Sequence, residues 1–500
     1  CRLFLAALQL LEWRSSCIGI SSGQHSAWQK KKKPKTSQSE FFMSNSAAAV
    51  NTGSFRDRDG RVYHYQDRVF RGLSESALEN FRQLQEKPFY ARLAESGKVI
   101  GTREIAGEDN PLPDDVKAQW TGFLEHDPVP VISYPYEWTF SMLKAAAGLQ
   151  LHLVERAVSN GFTLKDATPY NIQFVGRKPV FIDIPSFEPL QEGEPWSGYR
   201  QFCEMFLFPL FLQAYKGCNF QPFMRAAIDG VDVQAASALF GFRDRFRKGV
   251  MSHVWLQSKL DRRYGGSSEN IRSSLKSAGF NRELILVNVR KMQKLVKKLE
   301  WEAAGSEWGD YAGFHNYSED DHTRKEEFIH NAIVNERPGC VWDIGCNTGQ
   351  FSHIAAEECR QVVATDIDHV AVERLFLNPE TPDNILPLVQ NVADPSPSWG
   401  WRNRERSDLQ TRSRPDLVLC LALIHHVVIT ANIPLAEFIE WLAGLTDKLV
   451  IEYVSRRDDK VETLLRNKED KYRDYSRESL QENLSRYFDI LSQQDVNNGD

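Results

Sequence analysis

Paired cysteines are missing from this chain, and so are long apolar runs. Its eight cysteines are scattered, with no Cys-x-x-Cys pair and no His/Cys cluster at zinc spacing, so the pattern predicts neither a disulfide bond nor a metal site. No apolar run reaches the roughly 18 residues that a membrane-spanning helix needs. The scattered cysteines favour a reducing compartment, and we expect a cytoplasmic location.

An excess of basic charge is also missing. The formal net charge of -6 gives no reason to expect nucleic acid as a partner. The run Lys30-Lys31-Lys32-Lys33-Pro34-Lys35 is a local exception, and a nuclear-localisation or anionic-surface role is its alternative interpretation. We predict that residues 1–52 are a disordered or non-native N-terminal extension, with Met43 as a possible true start.

The chain contains enough apolar sequence for more than one core. Its 500 residues are 42% hydrophobic and 26% charged, which predicts two or three globular domains.

One stretch of seven residues, Asp343-Ile344-Gly345-Cys346-Asn347-Thr348-Gly349, has the pattern of a strand-to-helix turn. It follows an apolar run and precedes a helical pattern, and its glycines allow the backbone to approach a ligand. A second apolar run ends in Asp366, about 20 positions further on, where a βαβ unit places a carboxylate against ribose hydroxyls. The spacing therefore predicts a nucleoside cofactor.

The missing glycines narrow the choice of cofactor. A dinucleotide site requires Gly-x-Gly-x-x-Gly, but Asn347 and Gln350 stand at the second and third glycine positions. Asn tolerates left-handed backbone angles, so Asn347 can still make the turn. The stretch resembles motif I of the class I S-adenosylmethionine-dependent methyltransferases. That resemblance implies S-adenosyl-L-methionine as cofactor, bound by Asp343, Gly345, Asn347, Gly349, Asp366 and Ile367.

From about residue 318, apolar runs alternate with helical stretches, which predicts a doubly wound, Rossmann-like parallel sheet. The predicted strands are 340–344, 361–366, 385–392, 416–423, 448–454 and 487–493, and the predicted helices are 368–377 and 435–445. The methyltransferase fold normally adds an antiparallel seventh strand after a turn such as Asn498-Gly499. Only Asp500 follows here, so we expect the last strand to be missing from the sheet.

Further candidate residues lie at the predicted strand ends, where such sheets bind ligands. The resemblance implies that Asn391 or Asp394 contacts adenine. His425 and His426 follow the fourth strand, and a histidine there could act as the base that takes a proton from the methyl acceptor. The alternative is that one histidine caps a strand or helix. Glu452-Tyr453 is a weaker candidate pair.

The N-terminal half is predicted to be mixed α/β. Asp166 and Asn171 have the Asp-x4-Asn spacing, and Asp183 follows about a dozen positions later at the end of a predicted hairpin, 172–175 and 179–183. This resembles the catalytic loop and metal-binding Asp of protein-kinase-like phosphotransferases, in which these residues would hold magnesium. The family's His and Phe-Gly are absent, and no Gly-rich loop or strand lysine is evident. The alternative is a hairpin whose polar residues cap turns.

The combination of both halves resembles the two-part, nodulation-protein-like methyltransferases. The motifs that carry the resemblance are Ser133-Tyr134-Pro135-Tyr136-Glu137-Trp138, Leu164-Lys165-Asp166, Tyr170 to Phe174, Tyr199 to Cys203 and Leu423 to His426. We predict a kinase-like or recognition domain at 53–280, a bridging helix and lid or linker at 281–317, and a methyltransferase domain at 318–500. The aromatic residues Trp308, Tyr311 and Tyr317 either belong to the lid or seal a domain interface.

The predicted function is methyl transfer from S-adenosylmethionine to an oxygen or nitrogen of a small-molecule or glycan-like acceptor. Two alternatives concern the N-terminal half. It is either an ATP- and magnesium-dependent phosphotransferase or a non-catalytic module that presents the acceptor.

Overall fold

The computed structural model describes residues 23–30, 48–264, 281–302, 319–466, 468–469 and 471–495. The part up to residue 302 is called the N-terminal half below, and the part from residue 319 the C-terminal half. The predicted lid residues Trp308, Tyr311 and Tyr317, and the turn Asn498-Gly499, lie outside the described residues.

A seven-stranded sheet organises the C-terminal half. Five parallel strands lie in the order β13-β12-β11-β14-β15. Their short apolar sequences are almost wholly buried, as expected for strands that are covered by helices on both faces. The strands are β11 (Cys340–Ile344), β12 (Gln361–Asp366), β13 (Ile385–Val389), β14 (Leu417–Cys420), β15 (Lys448–Val454) and β16 (Phe488–Asp495). This confirms the predicted doubly wound α/β architecture.

The place of the seventh strand is taken by a segment from the other end of the chain. Strand β1 (Gly23–Lys30) lies antiparallel between β15 and β16, with Gly23 opposite Val454. Two sheet edges with unpaired backbone groups flank this position, and any strand that fills it satisfies both. Residues 23–30 are therefore in a strand, which differs from the disorder predicted for 1–52. Sequence reasoning missed the pairing because more than 400 positions separate the partners.

Helices cover both faces of this sheet. Asp368 caps the helix after β12 by accepting hydrogen bonds from the backbone N–H groups of Val370 and Ala371, as Asp often does at helix starts. The helices are α11 (Glu319–Glu336), α12 (Gln350–Glu358), α13 (His369–Leu377), α14 (Leu409–Arg412), α15 (Leu435–Leu445), α16 (Asp459–Leu465) and α17 (Arg477–Ser485), with a π-helical turn at His426–Thr430.

The N-terminal half contains an antiparallel sheet in the order β2-β3-β4-β6-β5 and two antiparallel strand pairs, β7 with β10 and β8 with β9. The strands are β2 (Ala49–Val50), β3 (Gly60–Tyr65), β4 (Arg68–Leu73), β5 (Thr102–Ile105), β6 (Gly122–His126), β7 (Phe162–Leu164), β8 (Ile172–Val175), β9 (Lys178–Phe181) and β10 (Phe187–Pro189). The β8–β9 hairpin was predicted. The turn between β3 and β4 is at Gln66 and Asp67, which both have positive φ angles.

A central apolar helix, α4, holds the N-terminal half together. Thr139 caps it, and its residues include twelve that are buried, so it forms the middle of a core. The helices are α1 (Glu75–Gln85), α2 (Pro88–Glu95), α3 (Asp114–Lys117), α4 (Phe140–Ser159), α5 (Tyr199–Phe202), α6 (Phe208–Lys216), α7 (Gln221–Ala226), α8 (Val233–Leu239), α9 (Gln257–Tyr264) and α10 (Arg282–Lys297). The predicted bridging helix at 281–300 is α10, which packs against α4.

The two halves share one apolar core. Phe174 on β8 and Phe376 on α13 are part of the same buried cluster, with ring centroids 6.0 Å apart. Gly176, at the tip of the β8–β9 hairpin, lies so close to the backbone of Asp383 that a Cβ would be 1.9 Å from its carbonyl oxygen. Among the described residues, no helix combines the length and apolar content that a bilayer span requires.

Candidate functional site

The turn between β11 and α12 is left-handed at three positions. Gly345, Asn347 and Gly349 have φ values of 81°, 50° and 87°, so an asparagine takes one position that usually requires glycine. At Gly349 a Cβ would also lie 2.5 Å from the end of the Leu375 side chain. The turn therefore lies directly against α13, with its backbone groups at the carboxyl end of the sheet.

A hydrogen bond joins this turn to the predicted ribose carboxylate. The backbone N–H of Asn347 donates to Oδ2 of Asp366 at 2.8 Å, and the N–H of Asp368 donates to Oδ1 at 2.8 Å. Burial raises the pKa of Asp366, and these two N–H groups oppose that shift. Each carboxylate oxygen can accept a second hydrogen bond, so Asp366 can still receive two hydroxyls.

The side chain of Asn347 shows where a further ligand group fits. Its Oδ1 is buried and has no hydrogen-bond partner in the described part of the chain. Buried oxygens without partners are uncommon in native proteins and need an explanation. Next to Asp366, Ile367 leaves 58% of its surface exposed at the strand end. An apolar face and an unpaired oxygen thus flank the same carboxylate.

Asp343 has a different position from the other predicted cofactor residues. It is 1% exposed and accepts a hydrogen bond of 2.6 Å from the hydroxyl of Ser352 on α12. Burial raises its pKa to about 6, and the bond from Ser352 opposes that shift. Asp343 therefore holds the strand to the helix that follows the turn, beneath the surface of the site.

The structure separates the two candidates for the adenine contact. The side chain of Asp394 is 68% exposed and forms two hydrogen bonds, of 2.9 and 2.8 Å, with Arg225 in the N-terminal half. Asn391 stays close to its strand, where its Oδ1 accepts a hydrogen bond from the N–H of Ala393. Asp394 is thus committed to a contact between the halves, and Asn391 lies at the end of β13.

His425 and His426 lie side by side beyond β14, with ring centroids 4.1 Å apart. His425 is 2% exposed, and its Nδ1 has no partner in the described chain. Burial lowers the pKa of His425 to about 3 and that of His426 to about 4. Both imidazoles are consequently neutral at neutral pH. The π-helical turn that begins at His426 is a feature often found at functional sites.

Sequence reasoning missed a buried ion pair near these histidines. Lys325 on α11 donates to Glu452 on β15 at 2.9 Å, and the two side chains are 6% and 0% exposed. The ammonium of Lys325 also lies 4.6 Å from the ring centroid of Phe351, just after the turn. The sequence noted Glu452 only as a weak candidate. The sequence did not indicate that Lys325 is buried, because most of the residues around it on α11 are charged.

The structure brings together the three polar residues predicted in the N-terminal half. The amide of Asn171 donates to Asp183 at 3.1 Å. Asp166 is near enough to Asp183 for the two carboxylates to repel, and burial followed by this repulsion raises the pKa of Asp166 to about 6. We call this group, together with Arg71, the N-terminal cluster.

Arg71 is the residue that sequence reasoning missed in this cluster. It lies on β4, and its guanidinium forms an ion pair with Asp183, in which the side chains are 12% and 15% exposed. With Arg71 and Asn171 both directed at Asp183, the carboxylate is neutralised without a metal ion. Among the described residues, no group of three His, Cys, Asp or Glu side chains is arranged to hold a metal. In this arrangement Arg71 and Asn171 both contact the carboxylate of Asp183.

Comparison with known proteins gives the following similarities. Residues 317–488 match a family described as "Methyltransferase domain". Over 436 residues the chain is 31% identical to the nodulation protein NoeA of Rhizobium meliloti (strain 1021). The aligned region covers 87% of this chain and 90% of that protein.

Solved structures show weaker similarities. Magnesium protoporphyrin IX methyltransferase (ChlM) from Synechocystis PCC 6803, with bound S-adenosylmethionine, is 19% identical over 33% of this chain and 74% of its own, with a TM-score of 0.20. The bifunctional kinase-methyltransferase WbdD is 19% identical over 25% of this chain and 26% of its own, with a TM-score of 0.19. These TM-scores are too low to support an argument.

Proposed function

This chain belongs to the family of the nodulation protein NoeA and is an S-adenosylmethionine-dependent methyltransferase, and on that premise we propose which of its residues bind the donor and the acceptor. The observation that carries the proposal is the contact between Asn347 and Asp366 at the carboxyl ends of two adjacent parallel strands. Open parallel sheets bind their ligands at this edge.

The residues present fit an S-adenosyl nucleoside. Asp366 has acceptor capacity left for the two ribose hydroxyls, and Ile367 offers an apolar surface beside it. The unpaired Oδ1 of Asn347 suits an ammonium donor such as that of the methionine moiety. We assign the adenine contact to Asn391 and not to Asp394, since Arg225 already occupies Asp394.

The acceptor side is assigned to His425 and His426. The buried Nδ1 of His425 is available to hydrogen-bond an acceptor hydroxyl or amine. An imidazole whose pKa is lowered to about 3 is a weak proton acceptor, and general bases work best when their pKa is near the working pH. We therefore propose that His425 mainly orients an oxygen or nitrogen acceptor and takes up its proton only as that atom becomes positively charged.

The chemistry needs little more than positioning. The bound sulfonium donor supplies an activated methyl group and its own leaving group. The chain's contribution is to hold the acceptor atom in line with that methyl group and to keep water out, and orientation of this kind accounts for a large share of enzymatic rate enhancement. The Lys325–Glu452 pair, buried beside the histidines, keeps α11 against the sheet at this point.

Replacement of Asp366 tests the assignment. For Asp366→Ala we expect the affinity for S-adenosylhomocysteine to fall more than about tenfold in calorimetric titration, because a hydrogen bond to a charged group contributes about 1.5–3 kcal/mol. Asp383→Ala is the matched control, since Asp383 precedes β13 at the opposite end of the strands. Unchanged affinity in Asp366→Ala would refute the donor site.

A second candidate function concerns the N-terminal half, and the Arg71–Asp183 pair favours it. Because Arg71 occupies the carboxylate that would hold magnesium, we propose a non-catalytic module that recognises the acceptor in preference to an ATP-dependent phosphotransferase. The side chains of the N-terminal cluster then serve as hydrogen-bonding groups for a small-molecule or glycan-like acceptor.

Thermal unfolding with magnesium and ATP separates the two functions of the N-terminal half. For a recognition module we expect the melting temperature to be the same with and without magnesium-ATP. A magnesium-dependent increase that disappears in Asp183→Asn would instead establish a nucleotide site. Asp394→Asn serves as the control, because Asp394 lies outside the N-terminal cluster.

A further inference from the structure

A segment of the C-terminal half, residues 390–412, reaches from the proposed donor site to the N-terminal half, and we call it the connecting segment. It begins at the donor site, where the backbone N–H of Gln390 donates to the carbonyl of Asp366 at 2.8 Å. Ser396, which is 4% exposed, donates to Oε1 of Gln390 at 3.0 Å. The position of Asp366 is thus linked to the path of this segment.

The middle of the connecting segment is held by its own hydrogen bonds. The N–H of Trp399 donates to the carbonyl of Arg406 at 2.9 Å, and the N–H of Arg406 donates back to Trp399 at 3.1 Å. Ser398 donates to Asp408 at 2.7 Å just beyond this pair. The two arms of the segment therefore move together, and a displacement of Arg406 displaces the arm that carries Ser396.

Arg406 makes one of several contacts of this segment with the N-terminal half, beside those of Trp399 with Tyr136 and of Glu405 with Arg56. Its guanidinium carbon lies 4.3 Å from the ring centroid of Tyr170, a favourable cation–π distance. Tyr170 is 8% exposed and shares a helical turn, Pro169–Asn171, with the residue that donates to Asp183. Asp183 is therefore connected to Asp366 through Asn171, the Arg406–Tyr170 stack and the hydrogen bonds and backbone of the connecting segment.

The Arg406–Tyr170 contact differs from the other contacts of the connecting segment because its polar atoms are not satisfied. Nε of Arg406 and the hydroxyl of Tyr170 are both buried and have no hydrogen-bond partner in the described chain. By contrast, Arg412 in the same segment forms a fully bonded ion pair with Glu137. Besides this stacking, the guanidinium of Arg406 donates to the carbonyl of Glu405 at 3.2 Å and lies 3.8 Å from its carboxylate.

We propose that Arg406 is a positioning residue for the donor site and that Tyr170 sets its position. The inference rests on the proposed function, because it concerns the same donor site. The connecting segment places Gln390 against the backbone of Asp366, and Arg406 holds that segment at the distance that Tyr170 dictates. The N-terminal half is then part of the donor site, and a change at the N-terminal cluster alters donor affinity.

Donor affinity in the full-length chain tests this inference. For Arg406→Met we expect S-adenosylhomocysteine to bind about fivefold or more weakly, within the usual range of coupling between sites, at an unchanged melting temperature of the free protein. Arg406→Lys keeps a cation over the ring and should restore most of the affinity. Arg404→Met, an exposed arginine of the same segment, is the control and should bind like wild type.

A double-mutant cycle with Tyr170→Leu completes the test. If Tyr170 acts through Arg406, then Arg406→Met, Tyr170→Leu and the double variant should lose donor affinity to the same extent. The effects of replacing residues that act as one unit are not additive. The inference would be overturned if Arg406→Met bound the donor like wild type or if the two single variants lost affinity additively. A melting temperature of Arg406→Met that falls together with its affinity would also overturn it. Absence of binding to the wild-type chain would overturn the proposed donor site instead.

Discussion

Two buried polar atoms without partners mark the proposed site at the scale of single residues. Oδ1 of Asn347 lies in the turn after β11, and Nδ1 of His425 lies beyond β14. These strands are neighbours in the sheet, so both atoms lie at the same edge. In the proposed site, the donor and the acceptor would supply the hydrogen-bonding partners of these two atoms.

The burial of His425 predicts how stability depends on pH. The folded protein keeps this imidazole neutral, with a pKa of about 3, whereas the unfolded chain takes up a proton near pH 6.5. Its contribution to stability is complete above about pH 6.5 and is lost as the pH falls toward 3. When the pH is lowered from about 6.5 to 4, the unfolding free energy of His425→Asn should decline less than that of the wild-type protein. The difference between the two slopes should be up to ~1.4 kcal/mol per pH unit.

Urea unfolding at a series of pH values checks this prediction. His330→Asn is the control, because that side chain is 44% exposed on α11, and it should follow the wild-type slope. A wild-type slope in His425→Asn would show that His425 is protonated in the fold. Asp343, whose pKa is raised to about 6, has the opposite effect and stabilises the folded protein as the pH falls. The wild-type protein and His425→Asn both retain this effect.

At the scale of elements, a buried ion pair joins the two halves. Arg412 at the end of α14 pairs with Glu137, and the side chains are 4% and 1% exposed. Glu137 also accepts a hydrogen bond of 2.8 Å from the N–H of Tyr134. The guanidinium of Arg412 lies 4.2 Å from the ring centroid of Tyr134. This pair explains the aromatic motif at Ser133–Trp138, which holds the connecting segment.

Arg412→Met should destabilise the protein by about 3–5 kcal/mol, because it leaves the carboxylate of Glu137 buried and unpaired. Arg412→Met combined with Glu137→Gln should recover much of that loss, since Gln can still accept from Tyr134. Lys178–Asp383 is the matched control between the same halves. Its side chains are 72% and 62% exposed, so Lys178→Met should cost less than ~1 kcal/mol. Denaturant unfolding of the four proteins measures these differences.

At the scale of the whole molecule, the two halves pack against each other through one apolar core. Their apolar residues belong to one buried cluster that contains Phe174 and Phe376. Ser141 donates to Glu373 on α13 from its backbone N–H at 3.1 Å and from its hydroxyl at 2.5 Å. Neither half can separate without exposing apolar surface and breaking buried polar contacts.

We therefore expect a single unfolding transition in which donor binding protects both halves. S-adenosylhomocysteine at 100 times its dissociation constant should raise the unfolding free energy by about 2.7 kcal/mol. Amide hydrogen exchange should then slow in α4 of the N-terminal half as well as in the C-terminal sheet. Two transitions, with protection confined to the C-terminal half, would show that the halves fold independently.

The sequence by itself determined the features that depend on local pattern. Apolar runs and helical periodicity predicted β11, β12, β15 and α15 with the observed bounds, because period and capping are properties of neighbouring residues. The spacing from the glycine turn to Asp366 likewise predicted a strand-end carboxylate beside that turn.

Only the tertiary structure decided which distant residues meet. Arg71 faces Asp183 across 112 positions, Lys325 faces Glu452 across 127, and Arg412 faces Glu137 across 275. It also directed Asp394 to Arg225 and placed β1 between β15 and β16. The physical reason is that ion pairing and strand pairing depend on the path of the whole chain, and neither has a period or spacing that a single stretch of sequence can show.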